Sequence, residues 1–277
     1  MSGLSKVLKC QFSSLRGGVA DAAIQSTDGF WIASPSPRND EFLYSSIKLI
    51  FLTFLFLLSG CVNSLPTTET PLVRKAFYIT RHGQTDQNVQ KIVGNDKAKL
   101  TEAGRASAIK LSDTLFAIFE SPNEQVYLVS SNLVRSKETA RLIGKNSIKV
   151  IADNQLNERI SGRLVTMPVE DTGKFLKLLE DNNLENFLVP LETESAENHI
   201  SRTIQGINYH LQNAPIGKTP VFISHLKSML EIAKIAGHEV EKFDNTTLYY
   251  FEPSVYGNWN ISKITLENDG IIKTHID

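Results

Sequence analysis

The stretch Ala76-Phe77-Tyr78-Ile79-Thr80-Arg81-His82-Gly83 decides the fold, because an apolar run leads directly into a cation, an imidazole and a glycine. The apolar run predicts a strand over 76–80. In open α/β sheets, ligands bind in the crevice beyond the carboxyl ends of the strands, and a glycine there lets the backbone approach an anion closely. The position of Arg81 and His82 therefore predicts a phosphate site at the end of this strand.

Hydrophobic periodicity predicts further strands and helices along the chain. Strands are predicted at 125–129, 147–151 and 220–224, a terminal pair at 246–252 and 258–264, and helices at 101–119, 133–143, 170–179, 194–211 and 227–235. Ser131 and Asn132 are the candidate N-caps of the 133–143 helix. Alternating strands and helices are typical of a mostly parallel sheet with helices on both faces, an α/β three-layer sandwich.

Several polar motifs follow His82 in order. They are Thr85 and Asn88, Leu100-Thr101-Glu102-Ala103-Gly104, Ser130-Ser131 with Arg135, Glu138-Thr139-Ala140, Leu156-Asn157-Glu158-Arg159, Glu194-Ser195 and Val221-Phe222-Ile223-Ser224-His225. This series, spread over about 77–264, resembles the histidine phosphatase superfamily, in the branch of cofactor-dependent phosphoglycerate mutases and small broad-range phosphatases. The resemblance implies a phosphoglycerate mutase-like fold.

The resemblance also implies catalytic roles. His82 is expected to be the nucleophile that forms a phosphohistidine, which suits an imidazole that is largely neutral near pH 7. Glu158 is expected to protonate the leaving oxygen and then to accept a proton from the attacking water. A simpler interpretation of Glu158 is an ion pair with Arg159. His225 is expected to be the third catalytic residue.

A phosphate site needs donors that neutralise its oxygens. Arg81 and Arg135 fit this need because a guanidinium is planar, always charged and able to make two parallel hydrogen bonds. Thr85 and Asn88 are expected to add hydrogen bonds. Leu226 replaces the glycine that usually follows the second histidine of the family, a change expected to narrow the pocket or to shift a backbone amide.

The remaining motifs favour structural roles. Glu194-Ser195 is interpreted as a helix cap rather than a catalytic pair. Four other histidines lie outside any motif and are interpreted as surface or packing residues: His199, His210, His238 and His275. The sequence contains no His-Glu-x-x-His motif and no cysteine pair, so neither a metal ion nor another cofactor is expected.

The composition indicates a folded chain without a general affinity for nucleic acid. Its 277 residues are 41% apolar and carry a formal net charge of −1. This length supports a substantial core, and a near-neutral charge provides no basic field for nucleic acid. The expected ligand is instead a small phosphomonoester.

The N-terminal segment resembles a bacterial lipoprotein signal. An apolar decamer at 49–58 is too short for a comfortable membrane span and is followed by the lipobox-like Leu58-Ser59-Gly60-Cys61. Residues 1–60 are therefore predicted to be an extension and signal, 61–75 a tether and 76–277 the phosphatase domain. Lipidation of Cys61 would anchor the protein in the bacterial cell envelope, facing the periplasm, whereas cleavage without lipidation would secrete it. A buried helix or an uncleaved anchor is the alternative.

These observations predict an exported phosphomonoester hydrolase that needs no metal. A phosphoglycerate mutase-type phosphotransferase is the nearest alternative, but the segment after Glu158 lacks the paired arginines that hold the mutase substrate. A catalytically silent phosphate-binding envelope lipoprotein is a second alternative, and its only support is Leu226.

Overall fold

The computed structural model describes residues 71–267 and 270–276, all within the second of the two units, Met1–Pro66 and Thr67–Asp277, into which the chain divides. The apolar run at 49–58 and Cys61, on which the lipoprotein prediction depends, lie outside the described residues. Within the described ranges, no helix combines the length and the apolar character needed to cross a bilayer.

A mixed sheet of seven strands forms the centre of the domain. The strands are β1 (Phe77–Arg81), β2 (Val126–Ser131), β3 (Val150–Asp153), β4 (Thr219–Ser224), β5 (Leu248–Pro253), β6 (Trp259–Glu267) and β7 (Gly270–Ile276), in the order β3-β2-β4-β1-β5-β6-β7. The first four strands of this order run parallel to one another, and β5, β6 and β7 continue the sheet antiparallel. The carboxyl ends of β1, β2 and β4 therefore meet at one edge.

Helices cover both faces of the sheet. They are α1 (Asp86–Gln90), α2 (Glu102–Ile118), α3 (Pro122–Gln125), α4 (Val134–Ile143), α5 (Val169–Asp181), α6 (Ala196–Asn213) and α7 (Leu226–Ile235), with 3₁₀ turns at Asn154–Leu156, Gly162–Leu164 and Glu185–Leu191. The side chains of Thr85, Thr101 and Ser195 accept backbone N–H groups at the starts of α1, α2 and α6. These caps fix where the three helices begin.

Successive residues of the central strands face opposite layers. Phe77 and Ile79 pack into a core with residues of α6 and α7, whereas Tyr78 faces a second core with residues of α2 and α4. The period of two along a strand therefore buries apolar side chains on both faces. This arrangement confirms the predicted α/β three-layer fold. Leu72 is also part of the first core, ahead of the predicted domain start at residue 76.

Residues 159–191, whose pattern is the least regular in the sequence, contain α5 and two of the 3₁₀ turns. They bury a small core of their own, formed by Leu164, Leu176, Leu179 and Leu188. Backbone hydrogen bonds tie this segment to the chain after α1, for example from Val93 N to Met167 O at 2.8 Å. The segment therefore lies beside the loop that follows His82.

Two local predictions are wrong. Leu133, not Ser131 or Asn132, is the N-cap of α4, and no side chain caps this helix. Ser131 is instead the last residue of β2, where its hydroxyl is available to another partner. The predicted terminal pair of strands is a set of three, because β7 pairs with β6 in an antiparallel register that places Glu267 opposite Gly270. The sequence Asn268-Asp269-Gly270 is a hairpin signal that predicts such a strand.

Candidate active site

The register of β1 and β4 brings the two predicted histidines together. Arg81 is paired with Ser224 across these parallel strands, so the next residues, His82 and His225, leave the sheet side by side. The backbone N–H of His82 donates to Ser224 O at 3.1 Å. The imidazole ring centroids are 5.1 Å apart, and both side chains are buried.

The hydrogen bonds of His82 define its tautomer. Nδ1 lies 2.7 Å from the carbonyl oxygen of Gly83, which only accepts, so Nδ1 carries the proton. Nε2 lies 3.1 Å from Nε of Arg135, which only donates, so Nε2 presents a lone pair. Burial, together with the Arg135 guanidinium, holds the pKa of His82 well below its usual range. His82 is therefore a neutral imidazole whose Nε2 is free of a proton.

His225 presents its own lone pair to the same guanidinium. Nη2 of Arg135 lies 3.4 Å from Nδ1 of His225, while Nε2 of His225 is 2.8 Å from Ser131 Oγ. Because arginine cannot accept a hydrogen bond, the His225 proton lies on Nε2 and is donated to Ser131. Burial and the charge of Arg135 also hold the pKa of His225 well below its usual range. Arg135 thus bridges two neutral imidazoles.

Arg81 supplies a second, half-buried cation. Its Nη1 makes one long contact to Phe243 O at 3.5 Å, and its buried Nε has no hydrogen-bond partner in the part of the chain that is described. Nδ2 of Asn245 donates to His82 O at 2.6 Å and fixes the peptide between His82 and Gly83. An arginine with so few acceptors nearby is suited to bind an incoming anion.

Two helices begin at this cluster without a side-chain cap. Arg135 is the second residue of α4, and α7 begins directly after His225. Uncapped N-terminal amides and the positive end of the helix dipole favour an anion. Leu226 occupies a helical position and packs partly buried against the first core. Its backbone conformation does not require the glycine that is usual in the family.

Thr85 and Asn88 form a capping box at the start of α1. Thr85 Oγ1 accepts the Asn88 N–H at 3.2 Å, and Asn88 Oδ1 accepts the Thr85 N–H at 3.1 Å. This interaction uses the oxygen of the Asn88 amide and leaves its Nδ2 donors for another acceptor. Phosphate binding by these two residues stays a prediction.

Glu158 approaches the cluster from the loop after β3. Its Oε1 accepts the backbone N–H of Arg159 at 3.1 Å. The Arg159 guanidinium points elsewhere, to Glu180 Oε1 at 2.7 Å and to Glu194 O at 2.8 Å. The alternative of a Glu158–Arg159 ion pair between side chains is therefore wrong. The Glu158 charge raises the pKa values of Arg81 and Arg135, although burial has the larger effect and lowers both.

The loop that carries Glu158 is held by Arg202 of α6. This guanidinium pairs with Glu194 at 2.7 Å and donates to the carbonyl oxygens of Asn157 at 2.7 Å and Glu158 at 3.1 Å. Ser195 is the N-cap of α6, as predicted. Glu194 thus acts through Arg202 and positions the loop.

Sequence reasoning missed several polar partners of the site. Ser131 holds His225, Asn245 holds the His82 backbone, and the buried His199 lies close to Glu158. The buried stripe of α6 contains His199 and His210 among apolar residues, so the helical period indicates that both are buried. Periodicity does not identify the partners, which come from distant parts of the chain. His238 and His275 make only local structural contacts.

Residues 71–267 and 270–276 contain no group of three or more His, Cys, Asp or Glu side chains that could hold a metal ion. The charges at the site are instead two arginines and one carboxylate, around two neutral imidazoles. Such a site can bind a dianion and offer it a nitrogen nucleophile and a proton donor.

Comparisons with known proteins agree with this geometry. The broad-specificity phosphatase YOR283W of Saccharomyces cerevisiae is 25% identical over 176 residues, which cover 60% of this chain and 73% of that protein. YhfR of Bacillus stearothermophilus aligns with a TM-score of 0.55 at 20% identity, covering 66% of this chain and 93% of the other. A mycobacterial glucosyl-3-phosphoglycerate phosphatase, solved in complex with VO3, aligns with a TM-score of 0.51 at 18% identity, covering 67% and 96%. At these identities the two structures show a shared fold.

The sequence pattern of the histidine phosphatase superfamily (branch 1) matches residues 77–270, which include every residue of the site described above. Because this match extends over most of the chain, the protein belongs to branch 1 of the histidine phosphatase superfamily and is an enzyme of the phosphatase type.

Proposed function

We propose that this phosphatase hydrolyses small phosphate monoesters through a phosphohistidine at His82 and needs no metal ion. The observation that carries the proposal is the tautomer of the neutral His82 imidazole. Its Nδ1–H is bound to Gly83 O, and its unprotonated Nε2 faces Arg135 in a buried site. A neutral imidazole held this way is a ready nucleophile, and a phosphoryl group placed at Nε2 lies beside the cations that neutralise it.

The proposed reaction has two balanced steps. In the first, the Nε2 lone pair of His82 attacks phosphorus, the P–O ester bond breaks, and the leaving oxygen takes a proton from Glu158. In the second, water attacks phosphorus and gives a proton to Glu158, the P–N bond breaks, and inorganic phosphate leaves His82 as a neutral imidazole. Arg81, Arg135 and the N–H groups of the uncapped helices α4 and α7 stabilise the charge on the phosphoryl oxygens.

The substrate class follows from the size of the positive cluster. Two arginines suit one phosphate, and one carboxylate suits one proton transfer, so a monoester is the expected substrate. The yeast relative is named a broad-specificity phosphatase and the mycobacterial structure a sugar-phosphoglycerate phosphatase, and both names fit phosphomonoester hydrolysis. No nucleic-acid partner is proposed, because the chain carries a formal net charge of only −1.

We also propose that the protein is exported and attached to the bacterial envelope by a lipid on Cys61. The apolar decamer at 49–58, the lipobox-like sequence that ends at Cys61 and the polar tether after it support this placement. Expression of the full chain with a radiolabelled fatty acid in a bacterial host tests it. Label in the membrane fraction that is lost in Cys61→Ser is expected, and an unlabelled wild-type chain would contradict lipidation.

The catalytic proposal is tested with the full chain in mild detergent. Phosphate release from p-nitrophenyl phosphate is measured with and without EDTA, for the wild type, His82→Ala and the control His275→Ala, which alters an exposed histidine on β7. Activity that survives EDTA and His275→Ala but disappears in His82→Ala is expected. A rapid quench in alkali, where the P–N bond of a phosphohistidine is stable, should trap phosphate on the wild-type and His275→Ala chains and not on His82→Ala. Loss of activity with EDTA, or trapped phosphate in His82→Ala, would contradict the mechanism.

A further inference from the structure

His199 is the one buried histidine of α6 that lies at Glu158. Its side chain is 2% exposed, and its Nε2 lies 3.7 Å from Glu158 Oε1 and 3.0 Å from Ser228 Oγ. Ser228 belongs to the first turn of α7, two residues after Leu226, where that helix begins. One imidazole thus joins the helix that follows His225 to the loop that carries the proposed proton donor.

The charges around Glu158 are arranged so that its carboxylate has no cationic side chain as a hydrogen-bond partner. Arg202 is paired with Glu194 at 2.7 Å, and Arg159 is paired with Glu180 at 2.7 Å. Lys227, on the first turn of α7, interacts electrostatically with Glu158, but burial of its ammonium group lowers its pKa and it forms no ion pair with this carboxylate among the described residues. The side chain that directly approaches Oε1 is therefore His199.

The imidazole of His199 is neutral at ordinary pH. Burial lowers its pKa to about 4, and the cations Arg202 and Arg159 act in the same direction, while Glu158 and Glu194 oppose them. A neutral donor orients a carboxyl group without stabilising its ionised form as strongly as a cation does. This property suits a group that must carry a proton in one step and lose it in the next.

We propose that His199 is a positioning residue for Glu158, directing the proton of that carboxyl group toward the leaving oxygen of the substrate. The Arg159 N–H donates to Oε1 at 3.1 Å, and His199 Nε2, which also lies 3.0 Å from Ser228 Oγ, is 3.7 Å from the same oxygen. In this proposal Nε2 carries the proton of the neutral imidazole and directs it to Oε1. Oε1 is then the accepting oxygen, and the transferable proton lies on Oε2. The 3.7 Å separation is longer than a hydrogen bond, so the proposal requires it to shorten when substrate binds, as catalytic contacts commonly do.

This inference rests on the proposed phosphatase mechanism and predicts a dependence on the leaving group. An alkoxide leaving group needs the proton from Glu158, whereas p-nitrophenolate leaves readily without it. General acid catalysis contributes about 10²- to 10⁴-fold in rate. Misalignment of Glu158 should therefore lower kcat/KM, which includes only the steps up to departure of the leaving group, by about 10-fold or more for an alkyl phosphate and by less than about 3-fold for p-nitrophenyl phosphate.

The test compares p-nitrophenyl phosphate with glycerol 3-phosphate, using full-chain variants in mild detergent. His199→Leu removes the donor, and His199→Gln keeps an N–H group near the position of Nε2. Glu158→Gln gives the pattern for loss of the acid. His210→Gln is the matched control, because His210 is a second buried histidine of α6 and is bound instead to Tyr127 and Asp153.

The expected result is a selective loss of activity on glycerol 3-phosphate in His199→Leu, with most of that activity restored in His199→Gln. The double variant of His199→Leu and Glu158→Gln should lose no more activity than Glu158→Gln alone. If His199→Leu loses the same fraction of activity on both esters, as His210→Gln is expected to do, the inference is overturned and His199 has a structural role. Thermal unfolding of each variant detects a folding defect. If His199→Leu has such a defect, the comparison of the two esters in His199→Gln decides the test. A wild-type chain that is inactive on both esters would instead refute the proposed function.

Discussion

Substitution of Gly104 should disrupt the catalytic loop through direct backbone overlap. Gly104 lies in the first turn of α2, and a Cβ built on it would be 2.2 Å from the carbonyl oxygen and 2.8 Å from the nitrogen of Gln84, two residues after His82. Ordinary contact begins near 3.4 Å, so this oxygen must move by about 1.2 Å. The displaced atoms belong to the backbone, and Gln84 O also accepts the Thr101 N–H at 2.9 Å, so no rotamer change relieves the overlap.

Two effects are expected from Gly104→Ala. Overpacking of this kind costs about 1–3 kcal/mol of unfolding free energy, which outweighs the gain of up to about 1 kcal/mol in helix propensity. A shift of about 1 Å in a catalytic group lowers kcat/KM by about 10²-fold. Urea unfolding followed by circular dichroism measures the first effect, and steady-state phosphate release measures the second.

Gly173→Ala is the matched control, because Gly173 is an exposed helical glycine in α5 and a Cβ there meets nothing within 4 Å. It should raise the unfolding free energy by about 0.5–1 kcal/mol and leave kcat/KM unchanged. The reasoning would be refuted if Gly104→Ala stabilised the protein as Gly173→Ala does, or if it kept the wild-type rate.

Three further predictions concern the polar groups of the site. Arg135→Lys keeps the charge but loses the planar guanidinium that reaches both imidazoles, so kcat/KM should fall about 10²-fold in steady-state assays. An unchanged rate would contradict a role that depends on contact with both histidines. Ser131→Ala removes the nearer acceptor of the His225 Nε2 proton and leaves only Ser136 Oγ at 3.4 Å, so it should cost about 1–3 kcal/mol in urea unfolding. The control Ser107→Ala, at an exposed hydroxyl of α2, should cost less than about 0.5 kcal/mol. The pKa of His199 falls from 6.5 to about 4 on folding, so as the pH falls the unfolded chain binds the proton first, and this should lower the unfolding free energy by about 2 kcal/mol between pH 7 and pH 5. Urea unfolding at pH 7 and pH 5 should show a smaller loss of stability in His199→Gln than in the wild type. The same loss in both proteins would contradict this prediction.

The sequence allows the fold and the centre of the site to be predicted because their signals are local. An apolar run that ends in Arg81-His82-Gly83 and another that ends in Ser224-His225 each identify a strand and the residue that leaves it. Parallel strands of one sheet then place these residues at the same edge without any knowledge of side-chain contacts. Both central strands lie one residue or less from their predicted positions.

The supporting hydrogen bonds depend on contacts between distant segments, which local patterns do not contain. Ser131 is a cap candidate by its position before α4, but its hydroxyl meets a histidine 94 residues later. Asn245 reaches His82 O across 163 residues. Thr85 and Asn88 show a local case, because the capping box between them gives both side chains a structural role beside the phosphate contacts that the resemblance implies. Residue type alone therefore does not determine a role, because a polar side chain can bind its own local backbone or a group far away in the sequence.

The site must keep His82 unprotonated while it attracts an anion, and two separate physical causes achieve this. The charges of Arg135 and Arg81 lower the pKa of His82, but a bound phosphate would offset those charges and weaken that effect. Burial is the larger cause of the lowered pKa and does not depend on the arginines. In the proposed mechanism, His82 therefore stays neutral when the substrate occupies the pocket and the arginine charges are directed to the phosphoryl oxygens. The same burial makes the folded state less stable in acid, because the unfolded chain can protonate a histidine that the folded chain keeps neutral.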